Sequence, residues 1–138
     1  MNDSIHEWVD KAEGDFLVAS RENRARRNPC YDAVCFHAQQ CVEKYLKAVL
    51  AQEGLPIRKI HDLAILLQDC LPVHPLWEAM RPDLERLSEN AVLIRYPGES
   101  ATPERARRAI AMMRACRNEI RPTLGLPSDK AVRTRKKG

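Results

Sequence analysis

Six side chains of different chemistry recur along one arc of the stretch Tyr31–Gly54: Phe36, His37, Gln40, Glu43, Lys44 and Lys47. At about 100° per residue they fall within about 120° of a helical wheel. An imidazole, an amide, a carboxylate and two ammonium groups on one face suit proton transfer or recognition of a polar, anionic ligand. The same arrangement also describes a plain solvated helix face. Two further polar pairs follow, His61-Asp62 and Arg95-Tyr96, the second directly before Pro97. Several chemistries are excluded by what the chain lacks. It has no G-x-G-x-x-G and no Gly-rich phosphate loop. Its histidines and cysteines show no C-x-x-C, no H-E-x-x-H and no other ligand spacing, so neither a metal site nor a metal cofactor is expected. Five cysteines at 30, 35, 41, 70 and 116, an odd number, do not form a disulfide framework, and a reducing cytoplasm is the simplest home.

The elements that must carry these residues read as helices. Opposite the polar arc, Val34, Cys35, Ala38, Cys41, Val42, Tyr45, Leu46, Val49 and Leu50 form an apolar stripe covering roughly half the wheel, which marks a core-facing helix. Gly54, with Pro56 beyond it, suits its C-terminal stop. Before it, Ser4-Ile5-His6-Glu7 has the form of a capping box, and Ile5, Trp8, Val9, Ala12, Phe16 and Ala19 recur at helical spacing to about Arg24. The basic run Arg21, Arg24, Arg26, Arg27 ends that helix, and Asn28-Pro29 breaks it. Two long helices on a short loop pack antiparallel.

Downstream, Asp62 is placed to cap a third helix with Leu63, Leu66, Leu67 and Cys70 inward. Pro72 and Pro75 end it, and Leu76, Trp77 and Met80 form a short apolar segment. Leu84, Leu87 and Ala91 predict a fourth helix stopping near residues 93–98. Thr102-Pro103-Glu104 reads as N-cap, first-turn proline and first-turn acid of the last long helix, whose inward set is Ala106, Ala109, Ile110, Met113, Cys116 or Arg117, and Ile120. No segment alternates at strand period, so the expected fold is all-α, an antiparallel four- to five-helix up-and-down bundle. A chain of 138 residues supports one such domain. We expect the bundle over residues 1–126 and a basic, disordered tail over 127–138.

Net charge is +4, and all of it resides in the last ten residues, because the remainder balances 18 basic against 18 acidic groups. The folded part therefore offers nucleic acid no overall attraction, only local patches. No apolar run approaches the about 20 residues of a membrane span, and the acidic, polar start does not read as a secretion signal.

Taken together, the string FHAQQCVEKYLKAVL, then IHDL, then IRYPG, then a long Ala/Arg-rich last helix resembles the prokaryotic HEPN domain, of the type associated with minimal nucleotidyltransferases, over residues 5–125. The resemblance implies a helical bundle, often a homodimer, with nucleotide binding or ribonuclease activity, and a minimal nucleotidyltransferase partner in a toxin–antitoxin-like pair. Positions matching the family's polar strings are His37, Gln40, Lys44, Lys47, His61, Asp62, Arg95 and Tyr96. They are the implied ligand set for a nucleotide such as ATP or GTP, with Lys and Arg for phosphate, Gln for a base or ribose edge and Tyr for stacking. Each also has a structural reading: a helix cap for His61-Asp62, a loop brace for Arg95, solvated chains for Lys44 and Lys47. The family's ribonucleases carry R-x4-6-H on the last helix. Here no arginine stands five to seven residues before His37, His61 or His74, and Arg117 has Pro122, Thr123 and Leu124 in the histidine window. No catalytic residue is therefore expected. The expectation is a non-catalytic nucleotide- and partner-binding module. The alternatives are a ribonuclease with a non-standard site and a purely structural dimerisation protein, with Phe36, an apolar ring on the polar arc, as interface candidate.

Overall fold

The protein is described by a computed structural model covering residues 2–129. The expected basic tail falls outside the described residues from 130 onward. All regular structure among the described residues is helical. The helices are α1 (Asp3–Arg24), α2 (Tyr31–Gln52), α3 (Leu63–Cys70), α4 (Arg81–Leu93) and α5 (Pro103–Ile120), with 3-10 turns at Pro75–Met80 and Arg121–Leu124.

Helix α2 is the axis of this bundle. It packs against α1, α3, α4 and α5, and all nine residues of its apolar stripe are no more than 1% exposed. Its contacts with α1 pair Asp15 with both His37 and Lys44, and Glu13 with Tyr45, so the two helices run antiparallel. The connection turns at Asn28, whose φ of 46° is left-handed and tolerable for an asparagine. At the far end of α2, Gly54 takes φ 66°, a conformation that costs a glycine nothing. Asp32 in the first turn of α2 accepts a hydrogen bond from the Ala101 amide, fastening the start of α5 to the start of α2.

The caps follow the sequence with one correction. Asp62 Oδ1 accepts from the amides of Ala64 and Ile65 at the start of α3, and Thr102 accepts from the Arg105 amide at the start of α5. The cap of α1 is Asn2 rather than Ser4: its Oδ1 takes the Ile5 amide at 2.9 Å, and the helix begins two residues earlier than the Ser-x-x-Glu pattern suggests. An asparagine caps as well as a serine, and the earlier start adds about half a turn. The short apolar segment after α3 is only partly internal. Within the 3-10 turn Trp77 and Met80 are buried, but Leu76 is 89% exposed, because at three residues per turn only one side of a short turn meets the core.

Among the described residues no helix is long and apolar enough to cross a membrane, and no group of three or more His, Cys, Asp or Glu is placed to hold a metal ion. Cys35, Cys41, Cys70 and Cys116 are buried and Cys30 is exposed in the loop before α2. Burial pushes the Cys35 thiol up to about 11 and those of Cys70 and Cys116 up to about 12, and raises Cys41 as well. Because the thiolate is the reactive species, a thiol reagent at pH 8 should label one cysteine rapidly in the native protein and all five after unfolding. Cys30→Ser should abolish the rapid phase, as read by absorbance of the released chromophore.

Candidate functional site

The polar arc of α2 is partly internal: Glu43 and Lys47 are buried, His37, Gln40 and Lys44 half-buried, and Phe36 exposed. Glu43 is only 3% exposed and Gln39 equally so. A buried carboxylate must be fully hydrogen-bonded or it costs several kcal/mol, about the penalty for an unpaired ion in a protein interior. Glu43 meets this condition through four neighbours, of which Gln40, donating to Oε1 at 3.5 Å, is the most distant. Its Oε2 accepts from Lys47 Nζ at 3.0 Å, one turn on. Its Oε1 accepts from Gln39 Nε2 at 3.1 Å, one turn back, and lies 3.0 Å from His61 Nδ1. Facing a carboxylate, Nδ1 is the nitrogen that carries the proton, which fixes the tautomer. Gln39 also donates to the His61 carbonyl at 2.8 Å, and Gln40 donates to Gln39 Oε1 at 2.8 Å. The connector before α3 is thus tied to α2 through both its main chain and its imidazole.

A parallel arrangement occupies the α1 side. Asp15, 8% exposed, holds His37 Nδ1 at 2.7 Å on one oxygen and the Lys44 ammonium on the other. His37 and Lys44 are two turns apart on α2 and so share a face. Phe36 lies edge-on to the His37 ring, 5.2 Å between centroids, and is 36% exposed.

A third network closes the bundle between α1, α2 and the end of α5. Arg117 is 7% exposed and gives Glu13 a two-pronged contact at 2.7 and 2.8 Å, with its guanidinium 4.2 Å from the centroid of Phe16. Tyr45 donates to Glu13 and accepts from Arg121 at 2.8 Å. Burial alone would raise the Glu13 carboxyl, but the hydrogen bonds from Arg117 and Tyr45 and the nearby guanidinium charges outweigh it and hold the group below the usual 4.5.

Of the residues expected to form a ligand set, the structure gathers His61, Asp62 and Arg95, which line one small cleft of about 130 Å³ together with Gln39, Ser88 and Val92. The Ser88 hydroxyl accepts from the Leu63 amide, helping to shape that wall. His37 and Lys44 belong to the separate Asp15 group, and Gln40 bridges towards Gln39. Lys47 is only 6% exposed, its ammonium on Glu43 and 5.7 Å from the Trp8 ring centroid, so α1 covers the group that the sequence placed on an open face. Tyr96 is 61% exposed and does not line the cleft. Asp62 acts as the α3 cap, and the exposed Arg95 side chain makes no hydrogen bond or ion pair among the described residues.

Three residues that organise this region were not in the expected set: Asp15, Gln39 and Glu43. Their signals were present. Gln39, Glu43 and Lys47 follow one another at four-residue spacing, the geometry of an i,i+4 ladder. Asp15 lies between Ala12 and Ala19 on the apolar stripe of α1, and an acid on such a stripe needs an internal partner.

A model of the HEPN domain matches residues 5–121. A curated protein of Methanocaldococcus jannaschii, named "Putative toxin MJ1304", is 32% identical over 97 residues, covering 65% of this chain and 61% of its own length. The chain therefore spans about three fifths of that relative. No solved structure matches.

Removing the Glu43 carboxylate strands the Lys47 ammonium in the interior. Glu43→Ala should therefore lower the unfolding free energy by about 3–5 kcal/mol. Glu43→Leu combined with Lys47→Met should cost much less than the sum of the single changes, as measured by urea denaturation. Glu13 has a depressed folded pKa, so its contribution is complete above the unfolded value near 4.5 and is lost as the pH falls below it. Denaturation midpoints should drop between pH 5 and pH 3, and Glu13→Gln should flatten that dependence.

Proposed function

Because the chain belongs to the HEPN domain family, with a match that spans residues 5–121, we propose that it is a non-catalytic member. In this reading it binds a nucleotide and a minimal nucleotidyltransferase partner, as one half of a toxin–antitoxin-like pair in the cytoplasm, and is itself a homodimer. The toxin name of its archaeal relative supports the pairing. The lack of R-x4-6-H at any histidine supports a binding role over a cutting one.

The observation that carries the nucleotide half is the convergence of Gln39, His61, Asp62, Ser88 and Arg95 in one cleft. At about 130 Å³ it is too small to bury a nucleotide, which needs roughly 300 Å³ or more. It adjoins a shallower depression of about 450 Å³ that shares Asp62, Ser88 and Val92 and adds Glu89 and Leu93. The two together offer Arg95 to a phosphate, Asp62 and Ser88 to sugar hydroxyls, and the exposed Val92 and Leu93 to a base face. Phe36, with its ring in the open beside His37, is the candidate contact for a second subunit or the partner.

A second reading rests on the two carboxylate–imidazole pairs, Glu43–His61 and Asp15–His37. A histidine held in one tautomer by a carboxylate is arranged as a general base, and the His61 side chain is 67% open to solvent. That reading is a ribonuclease with a non-standard site.

Calorimetric titration with ATP and GTP, with and without the co-expressed neighbouring nucleotidyltransferase, separates the two. Binding tighter than about 1 mM that Arg95→Gln weakens about tenfold supports the nucleotide half. No binding in that range refutes it. Single-stranded RNA cleavage lost in His61→Ala but retained in Arg114→Ala would favour the second reading. A failure of the co-expressed pair to run as one complex in native mass spectrometry would remove the partner.

A further inference from the structure

The opposite side of α4 from the His61 cleft faces α5 across a groove of about 450 Å³, within the size range of small-ligand sites. Residues 83, 86 and 90 lie about half a turn around α4 from Ser88 and Val92, so the two depressions open in different directions. Arg86 reaches into the groove from α4, and Arg105 and Arg108 from α5. The three guanidiniums make no side-chain hydrogen bond or ion pair among the described residues. Arg58, Arg81, Arg107, Arg117 and Arg121 each hold a carboxylate, whereas Arg95 and Arg114 are, like these three, without an ion pair among the described residues; what sets the three apart is that they line one groove from two helices. Pairing would have been available here too, because Asp83 and Glu89 line the same groove one turn either side of Arg86, yet neither forms an ion pair with any of the three.

We infer that the α4–α5 groove is a second ligand site, which takes a small phosphorylated compound bearing hydroxyl groups, the class of sugar and nucleoside phosphates. Guanidiniums converging from two walls repel one another until an anion sits between them, and phosphate matches their paired N–H donors. The two carboxylates disfavour a bare anion and accept hydrogen bonds from hydroxyls, so the groove discriminates for a ligand that presents both. Met112, buried at 9% exposure, gives the groove an apolar floor beneath the sugar. The groove shares Glu89 with the depression beside the His61 cleft, but none of its three arginines lines either of those depressions.

Titration of the full chain with ribose 5-phosphate, inorganic phosphate and ribose, followed by phosphorus NMR and calorimetry, tests the assignment. Ribose 5-phosphate should bind in the millimolar range or tighter and more strongly than either fragment. Arg86→Gln and Arg108→Gln, both at exposed positions, should each weaken it about tenfold, the loss of one charge-assisted contact. Arg114→Gln removes an exposed charge of α5 outside the groove and should leave binding unchanged, as should His61→Asn in the other cleft. Circular dichroism confirms that each variant stays folded. The inference is overturned by no saturable binding below about 10 mM, by an equal loss in Arg114→Gln, or by loss in His61→Asn. It is also overturned if phosphate alone binds as well as the sugar phosphate.

Discussion

The buried carboxylate of Glu43 is the interaction on which the rest of this bundle depends. A helix packed against four others leaves little of its surface to solvent, so the polar residues of α2 that face its neighbours, Gln39, Glu43 and Lys47, must be satisfied internally. Glu43 accepts from Gln39, Lys47 and His61, and these three contacts reach one turn back, one turn on and across to the connector before α3. Because the charges are compensated in place, the helix can be central without an orphaned ion. The arrangement also fixes where α3 begins, since the residue before its cap is held by both side chain and carbonyl.

The same logic is repeated at Asp15 and again at Glu13, each an acid on α1 that answers basic groups on α2 or α5. Such buried pairs add less net stability than their Coulomb attraction suggests, because desolvation offsets much of it. Their larger effect is on register: a shift of α1 by one residue along α2 would separate all of them at once. Tight internal pairing on α1 and α2 also leaves the unpaired polar groups at the edges, at Arg95 beside His61 on one side of α4 and at Arg86, Arg105 and Arg108 on the other.

The fold was legible from local rules. Helical spacing marked the apolar stripes of α1, α2, α4 and α5, the α2 stripe without exception, and Asp62 and Thr102 announced two helix starts. The misread point, Asn2 in place of Ser4, lies at a helix end, where competing caps are not separable by periodicity. The candidate site was legible only in part. His61, Asp62 and Arg95 do share a cleft, but Tyr96 lies apart from it, and Lys47 is covered by α1.

What the sequence by itself determined is the set of helices, the class of fold and the polar inventory, because these follow from the spacing of side chains within about 20 residues. It also determined the absence of R-x4-6-H, a matter of order alone. Only the tertiary structure decided which polar groups are spent on one another and which remain for a ligand. A helical wheel shows the direction of a side chain but not what stands there. Whether an ammonium meets water, a carboxylate or a tryptophan face depends on a helix 29 residues away in the chain for Lys44 and Asp15, and 39 for Lys47 and Trp8.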